Sequence, residues 1–553
     1  MLDCSHPPQR RLLLTSTFCL DIFKLKLGFA QLQITLIAIT LIAFSDASVA
    51  QVPGGAPRLS QGTPSSLPSL GDSSELSAAA ERRIGERIAA SIYRDPDYID
   101  DPVLTDYLQG VWQPLMAAAR ARGELPAELG ERFAWELFLI RDRSINAFAL
   151  PGGYFGVHLG LIGTVANADE LAAVLAHEMS HVTQRHISRL MTQQSKQAPW
   201  VIAAMVLGAL AASKNPNAGS AAIVGGQALA AQGQLNFSRD MEREADRVGF
   251  GVMNDAGYGS RGVSGMFEKL QQANRLNDNG SFPYLRSHPL TTERIAEAQA
   301  RAQLVSKTRP SPDQQAADSQ AQSLHTMMAA RARILAVPGV DALRTLLADA
   351  QRRAAAAPAA SVRDAGALYG GAFAAAQLRD FAAARGLLGR LAPLAADMGP
   401  AAGKVVQLLS IEVDLMDGKT PVLPAAADIA KTASRAELLL LAKALMVSNR
   451  APEVSQALQV WVAGHPGDAL AWQVLAQSSG QQGQEVRAIR ADAESRAAQL
   501  DYSAALDRFK AAQGLMRSRP GSADYVEGSI IDTRTRQIES IIKEQALQDK
   551  VNR

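Results

Sequence analysis

Cysteine is almost absent: the 553-residue chain has two, Cys4 and Cys19, both within the first 50 residues. A chain trimmed beyond them uses no disulfide and no thiolate, so any metal site must be built from His, Asp and Glu. Aromatic residues are scarce at 5%, and alanine-rich tracts follow residue 320. Both features argue against an all-β architecture and for helices packed through small side chains. No charge of one sign dominates, with 56 Lys and Arg against 54 Asp and Glu and a net charge of +2. Without a basic field, nucleic acid is excluded as an evident partner. Long hydrophobic runs are missing too, since none reaches the roughly 20 residues that a membrane-spanning helix needs.

What is present is a chain that must mostly pack, with 47% hydrophobic and 20% charged residues, and that is long enough for two or three domains. Residues 1–50 combine Arg10, Arg11, Lys24 and Lys26 with the apolar run Leu32 to Phe44 and the small residues Ser48-Val49-Ala50. This pattern predicts a secretory signal cleaved after Ala50, and hence an exported protein, with a retained membrane anchor as the alternative. Residues 51–72, rich in Pro, Gly and Ser, read as a flexible lead-in.

Helical spacing runs from about Ser77 to Ile92 and from Pro102 to Arg122, followed by β-rich stretches at Phe133 to Ile140, Ile145 to Leu150 and Tyr154 to Leu159. Asn167 and Glu170 resemble a capping box that opens a helix over Leu171 to Arg189. A charged helix follows near Arg239 to Asn254. A polar stretch at 307–322 reads as a linker, which separates residues 73–306 from an almost wholly helical region at 323–553.

His177-Glu178-Met179-Ser180-His181 lies inside the capped helix. Histidines four apart project from adjacent turns of one face, so their imidazoles can share one ion. Glu178 is turned about 100° around the helix, which sets a carboxylate beside the ion without ligating it, as a general base requires. A catalytic zinc keeps three protein ligands and one open position, so a third must come from elsewhere. Glu242 is the leading candidate. It shares a helical face with Asp246, and one of the two can bind metal while the other orients a histidine.

With these motifs the chain resembles the gluzincin metallopeptidases that include HtpX and the CAAX-prenyl endopeptidases. Asn146-Ala147-Phe148-Ala149, the turn Pro151-Gly152-Gly153, HEMSHVTQRHISR at 177–189 and SHPLTTERI at 287–295 are similar to the soluble periplasmic members of that family. The resemblance implies one Zn2+ per chain on His177, His181 and Glu242, with Glu178 as base and later proton donor and Asp246 in support. It also implies that His288 sits on a loop over the site and can take the open zinc position as a self-inhibitory latch; a plain loop histidine is the alternative. Arg294 belongs to the same matched segment, but chemistry alone assigns it no role. His158 and His186 read as structural or surface residues. The segment carrying Asn146, Ala147 and Phe148 alternates as an edge strand would, and peptidases of this kind hold a substrate backbone by extending such a sheet.

Two apolar runs, Trp200 to Ala212 and Ala218 to Ala231, predict a helical hairpin that either touches a membrane or partner peripherally or is buried in the core. In the tail, Phe381/Ala384/Leu388, Val454/Ala457/Trp461 and Tyr502/Ala505/Phe509 repeat one spacing that resembles a tetratricopeptide helix, although the offsets are not multiples of 34 and a generic helical bundle remains the alternative.

The expected fold is therefore mostly α (α+β), a zincin metallopeptidase domain with a small sheet followed by an α-helical tetratricopeptide-like solenoid. The resemblance implies an exported endopeptidase acting on unfolded or misassembled outer-membrane β-barrel proteins beside the machinery that inserts them. The alternative is a periplasmic chaperone or scaffold whose peptidase is mostly latched.

Overall fold

The computed structural model describes residues 76–194, 239–276, 283–305, 312–336, 339–355, 362–423, 429, 434–518 and 525–551. The expected signal segment, the expected lead-in and the hairpin expected over 200–231 lie outside the described residues.

The first elements are α1 (Ala78–Tyr93), β1 (Tyr98–Ile99), α2 (Pro102–Ala121) and α3 (Ala127–Arg132). The strands β2 (Glu136–Ile140), β3 (Ala147–Leu150) and β4 (Tyr154–His158) come next, then α4 (Leu159–Thr164) and α5 (Ala168–Thr183). Local chemistry starts these helices where expected. Asp101 accepts from the Leu104 N–H at 2.8 Å with Pro102 at the first helical position, and Asn167 Oδ1 accepts from the Glu170 N–H at 2.9 Å.

The four strands form one sheet in the order β1-β2-β4-β3. β4 is parallel to β2 and antiparallel to β3, with Leu150 opposite Tyr154 and Ala147 opposite Val157. Every residue of β4 is buried, because both faces of the sheet are covered. Ile84 and Ile88 of α1 pack with Phe138, Leu150 and Tyr154 on one face, while Trp112 of α2, Phe155, Val157 and α5 close the other. The turn between β3 and β4 depends on glycine. Gly152 and Gly153 adopt φ of +74° and +80°, and a Cβ at Gly152 would lie 2.6 Å from the Arg82 Cα.

The helix expected over Leu171 to Arg189 is two helices. α5 ends at Thr183 and α6 (His186–Gln194) begins after Arg185, whose φ is +53°. A left-handed arginine costs roughly 1–2 kcal/mol. Its guanidinium offsets that by reaching buried Glu81 at 3.0 Å, Ser188 at 3.2 Å and the Leu76 carbonyl.

Beyond the 195–238 interval come α7 (Arg239–Asp255), α8 (Arg261–Leu276), α9 (Pro283–Ser287) and α10 (Thr292–Val305). The stretch expected to be a linker is instead helical from Pro312, as the first half of α11 (Pro312–Leu335). It docks firmly. Gln322 donates to the Ala166 carbonyl at 2.7 Å, and His325 meets Tyr107 at 2.6 Å and the Val165 carbonyl at 2.9 Å. Arg331 is buried between Asp101 and Glu412. The docking residues lie at and beyond Gln322, whereas Asp313 and residues 315–321 are exposed, in keeping with their polarity.

The remaining helices are α12 (Val340–Ala355), α13 (Val362–Gln377), α14 (Phe381–Asp397), α15 (Pro400–Met416), α16 (Arg435–Val447), α17 (Ala451–Gly464), α18 (Ala469–Gln481), α19 (Glu485–Ala498), α20 (Tyr502–Ser518) and α21 (Tyr525–Val551). Each packs mainly on its neighbours in sequence, as in a solenoid. The recurring triads lie on α14, α17 and α20, with Ala384, Leu388, Val454, Ala457, Ala505 and Phe509 buried. They are three described helices apart, which accounts for offsets that do not fit a two-helix repeat.

Candidate metal centre

Two helices build the centre. α5 presents His177 and His181 one turn apart with their Nε2 atoms 3.1 Å from each other, and α7 presents Glu242 and Asp246 one turn apart on the facing side. Gly249 lets α7 approach closely, since a Cβ there would lie 3.1 Å from the backbone of Ala176 and His177. Glu242 stands between the rings, 3.5 Å from His177 Nε2 and 3.4 Å from His181 Nε2. Asp246 Oδ1 accepts from His177 Nδ1 at 3.0 Å, which turns Nε2 of that ring toward the cluster.

The third contributor is the turn after α9. His288 Nδ1 lies 2.9 Å from Glu242 Oε1 and 3.3 Å from His177 Nε2, and its Nε2 is 3.5 Å from Glu178 Oε1. Its ring stacks on Tyr284 at 4.8 Å. One ligand atom from each of His177, His181, Glu242 and His288 falls within 4.8 Å of the others, and all four residues are buried. Residues far apart in sequence thus converge on a group that could hold a metal ion, and His288 is part of it.

Arg294 and His186 are the residues whose parts the sequence left unassigned or open. Arg294, on α10, is buried and binds Asp246 through Nε at 2.6 Å and Nη2 at 2.8 Å. Its Nη1 reaches Glu242 Oε2 at 2.7 Å and the Pro289 carbonyl at 2.8 Å. His186, expected to be structural or at the surface, is fully buried, with Nδ1 2.9 Å from His181 Nδ1 and Nε2 3.0 Å from Glu244 Oε2. The spacing of these residues carries no signal for either contact, because each depends on a turn or a distant helix.

The electrostatics suit a cation. Burial alone would lower the His177 imidazole, yet Asp246 and Glu242 hold it up at about 10. Burial would raise Glu242, but His288, His177 and His181 hold it far below the carboxylate range. Burial pushes His181 down and Glu178 up. Neither oxygen of Glu178, nor Glu242 Oε2, receives a hydrogen bond of good geometry, although Arg294 stands beside the latter as an ion partner. Buried carboxylate oxygens facing convergent imidazoles form a donor set fitted to one Zn2+.

β3, the terminal strand of the sheet, packs alongside α5. Asn146 precedes it, and its carbonyl accepts from the His158 N–H at 3.1 Å. Ala147 is buried, and the far end of the Phe148 ring fills the space above Gly156, opposite it in register.

Residues 104–302 match the family model described as peptidase family M48. A β-barrel assembly-enhancing protease of Yersinia pestis is 30% identical over 438 residues, 78% of this chain and 83% of that protein. The chain belongs to peptidase family M48. This M48 peptidase is also 34% identical over 276 residues to the β-barrel assembly-enhancing protease of Escherichia coli strain K12, covering 50% of the chain and 53% of that protein. The mitochondrial metalloendopeptidase OMA1 of Arabidopsis thaliana is 31% identical over 159 residues, 29% of the chain and 30% of that protein. The match thus spans about half the length of the Escherichia coli relative and less of the plant one. M48 metallopeptidases are zinc-dependent, and the buried His/His/Glu cluster suits one such ion. The enzyme class is metalloendopeptidase. Among the described residues no helix is long and apolar enough to cross a membrane.

Proposed function

We propose that this chain is a periplasmic zinc endopeptidase that cleaves extended or unfolded protein segments, with outer-membrane β-barrel proteins in assembly as its substrates. The observation that carries the reading is the convergence of His177, His181 and Glu242 around one point with the buried carboxyl of Glu178 beside it. His177, His181 and Glu242 would hold the zinc, which supplies a Lewis acid to polarise the scissile carbonyl and activate water. Glu178 takes the proton from the attacking water and returns it to the leaving amine, so no covalent enzyme intermediate is needed. Asp246 keeps His177 in the tautomer that leaves Nε2 free to ligate. The outer edge of β3, at Asn146, Ala147 and Phe148, would pair with the substrate backbone and hold it extended beside α5. The relatives' printed names supply the β-barrel assembly context, and the helical region supplies a surface for protein partners, among them the assembly machinery.

A second reading is supported by His288. If His288 also held the ion, four protein groups would leave no position for a substrate carbonyl, and binding by the helical region would be the main activity of such a latched enzyme. Glu178→Gln separates the two. It should keep zinc and abolish casein hydrolysis, and if the variant still supports outer-membrane protein assembly in cells, binding is the main role. Retained hydrolysis by Glu178→Gln would overturn the catalytic assignment itself.

A further inference from the structure

We infer that His186 is a positioning residue that fixes the tautomer and orientation of His181 through a His181–His186–Glu244 chain. The inference rests on reading His181 as a zinc ligand. His181 directs Nε2 into the cluster, 3.1 Å from His177 Nε2 and 3.4 Å from Glu242. Its Nδ1 therefore faces away, and it lies 2.9 Å from His186 Nδ1. A neutral imidazole has one proton, so a lone pair on Nε2 requires that proton on Nδ1. His181 Nδ1–H then donates to His186 Nδ1, which sets the proton of His186 on Nε2. That N–H donates to Glu244 Oε2 at 3.0 Å, and Arg189 Nη2 holds the same oxygen at 2.7 Å. Every donation runs in one direction, from the cluster to a carboxylate.

The two histidines of the pair are thus supported differently. His177 meets the carboxylate of Asp246 directly, whereas His181 reaches Glu244 through an intervening ring. The interrupted helix makes this arrangement attainable. On a continuous helix, position 186 would point roughly 140° away from position 181. The left-handed turn at Arg185, tied to Glu81 and Ser188, brings His186 back against His181. The fold thus holds a costly backbone conformation where it seats this ring, and His186 is completely buried with both nitrogens engaged.

The test measures zinc affinity of the full chain by competition with a chromophoric chelator, for the wild type, His186→Leu and His186→Asn, with the melting temperature of the zinc-free form as a control for folding. His186→Leu should bind zinc ~10- to 100-fold more weakly, the usual effect of removing an outer partner of a ligand. His186→Asn, whose amide oxygen can accept from His181 Nδ1–H, should recover most of that loss. An affinity unchanged in His186→Leu, or equally weak in His186→Asn, overturns the inference. If His186→Leu does not fold, Glu244→Ala and Glu244→Gln take its place. Gln keeps an acceptor and should bind zinc more tightly than Ala, and equal affinities overturn the chain. A wild type that binds no zinc overturns the metallopeptidase reading along with this one, whereas a zinc-binding wild type with an indifferent His186 overturns this one alone.

Discussion

Arg294 grips Asp246 in a two-pronged ion pair, Nε to Oδ2 at 2.6 Å and Nη2 to Oδ1 at 2.8 Å. The same guanidinium reaches Glu242 and the carbonyl of Pro289, the residue after His288. One cation therefore joins the acids of α7 to the turn that carries His288. Arg294→Met should leave two buried carboxylates short of a partner and destabilise the protein by about 3–5 kcal/mol. Arg294→Lys should recover only part of this, because a point charge cannot reproduce the fork. Chemical denaturation of the three proteins checks the order, and an unchanged midpoint for Arg294→Met contradicts it.

His288→Ala should hydrolyse casein faster than the wild type if the imidazole blocks the position a substrate needs. An inactive His288→Ala that still holds zinc would recast His288 as part of the catalytic apparatus. Initial rates normalised to bound zinc distinguish the two.

Zinc should stabilise the folded chain measurably, because the cluster draws on α5, α7 and the turn after α9, which an unfolded chain does not bring together. At free zinc a hundredfold above its Kd the gain is about 2.7 kcal/mol. Melting with and without chelator should show the shift in the wild type and lose it in His181→Ala. Identical curves for the wild type would count against a zinc site.

The joint between the sheet-bearing part and the helical tail is predicted to fail through Arg331. Its guanidinium is 1% exposed, paired with Asp101 and Glu412, each at 2.7 Å. Arg331→Leu leaves both acids facing an apolar group and should cost about 3–5 kcal/mol. Thermal melting and limited proteolysis within α11 report it, and unchanged resistance to protease would argue against this joint.

A second joint should respond to acid. Arg435 binds Asp468 at 2.8 Å and Asp100 at 2.6 Å. Burial alone would raise the Asp468 carboxyl, but Arg435 outweighs it, with help from Trp461, and holds the group below its ordinary range. A folded-state value depressed below that of the unfolded chain means that the contribution is complete above about pH 4 and is lost as pH falls through the folded value. The stability gap between wild type and Asp468→Asn should be full at pH 7 and shrink as pH falls through the folded-state value. A gap independent of pH contradicts the assignment.

Much of this was legible in the order of residues, and the reason differs from place to place. His177 and His181 share a face because helical periodicity is local, and the same holds for Glu242 and Asp246. Asn167 announces its helix because a cap needs only the next three residues. The solenoid could be read from triads on α14, α17 and α20, since small and large side chains alternate on one helix face wherever it packs. The break at Arg185 could not be read, because only buried Glu81, 104 positions earlier, makes a left-handed arginine tolerable.

The sequence by itself determined which side chains could bind a metal, on which helices they lie and which carboxylate sits beside them, because helix geometry converts spacing into direction within a single element. Tertiary structure alone decided that Arg294 would serve Asp246, that His186 would stand behind His181, and that Arg331 of α11 would dock between Asp101 and Glu412. Each of those outcomes pairs charges or rings from separate elements, and the interaction exists only once packing has removed the water between them.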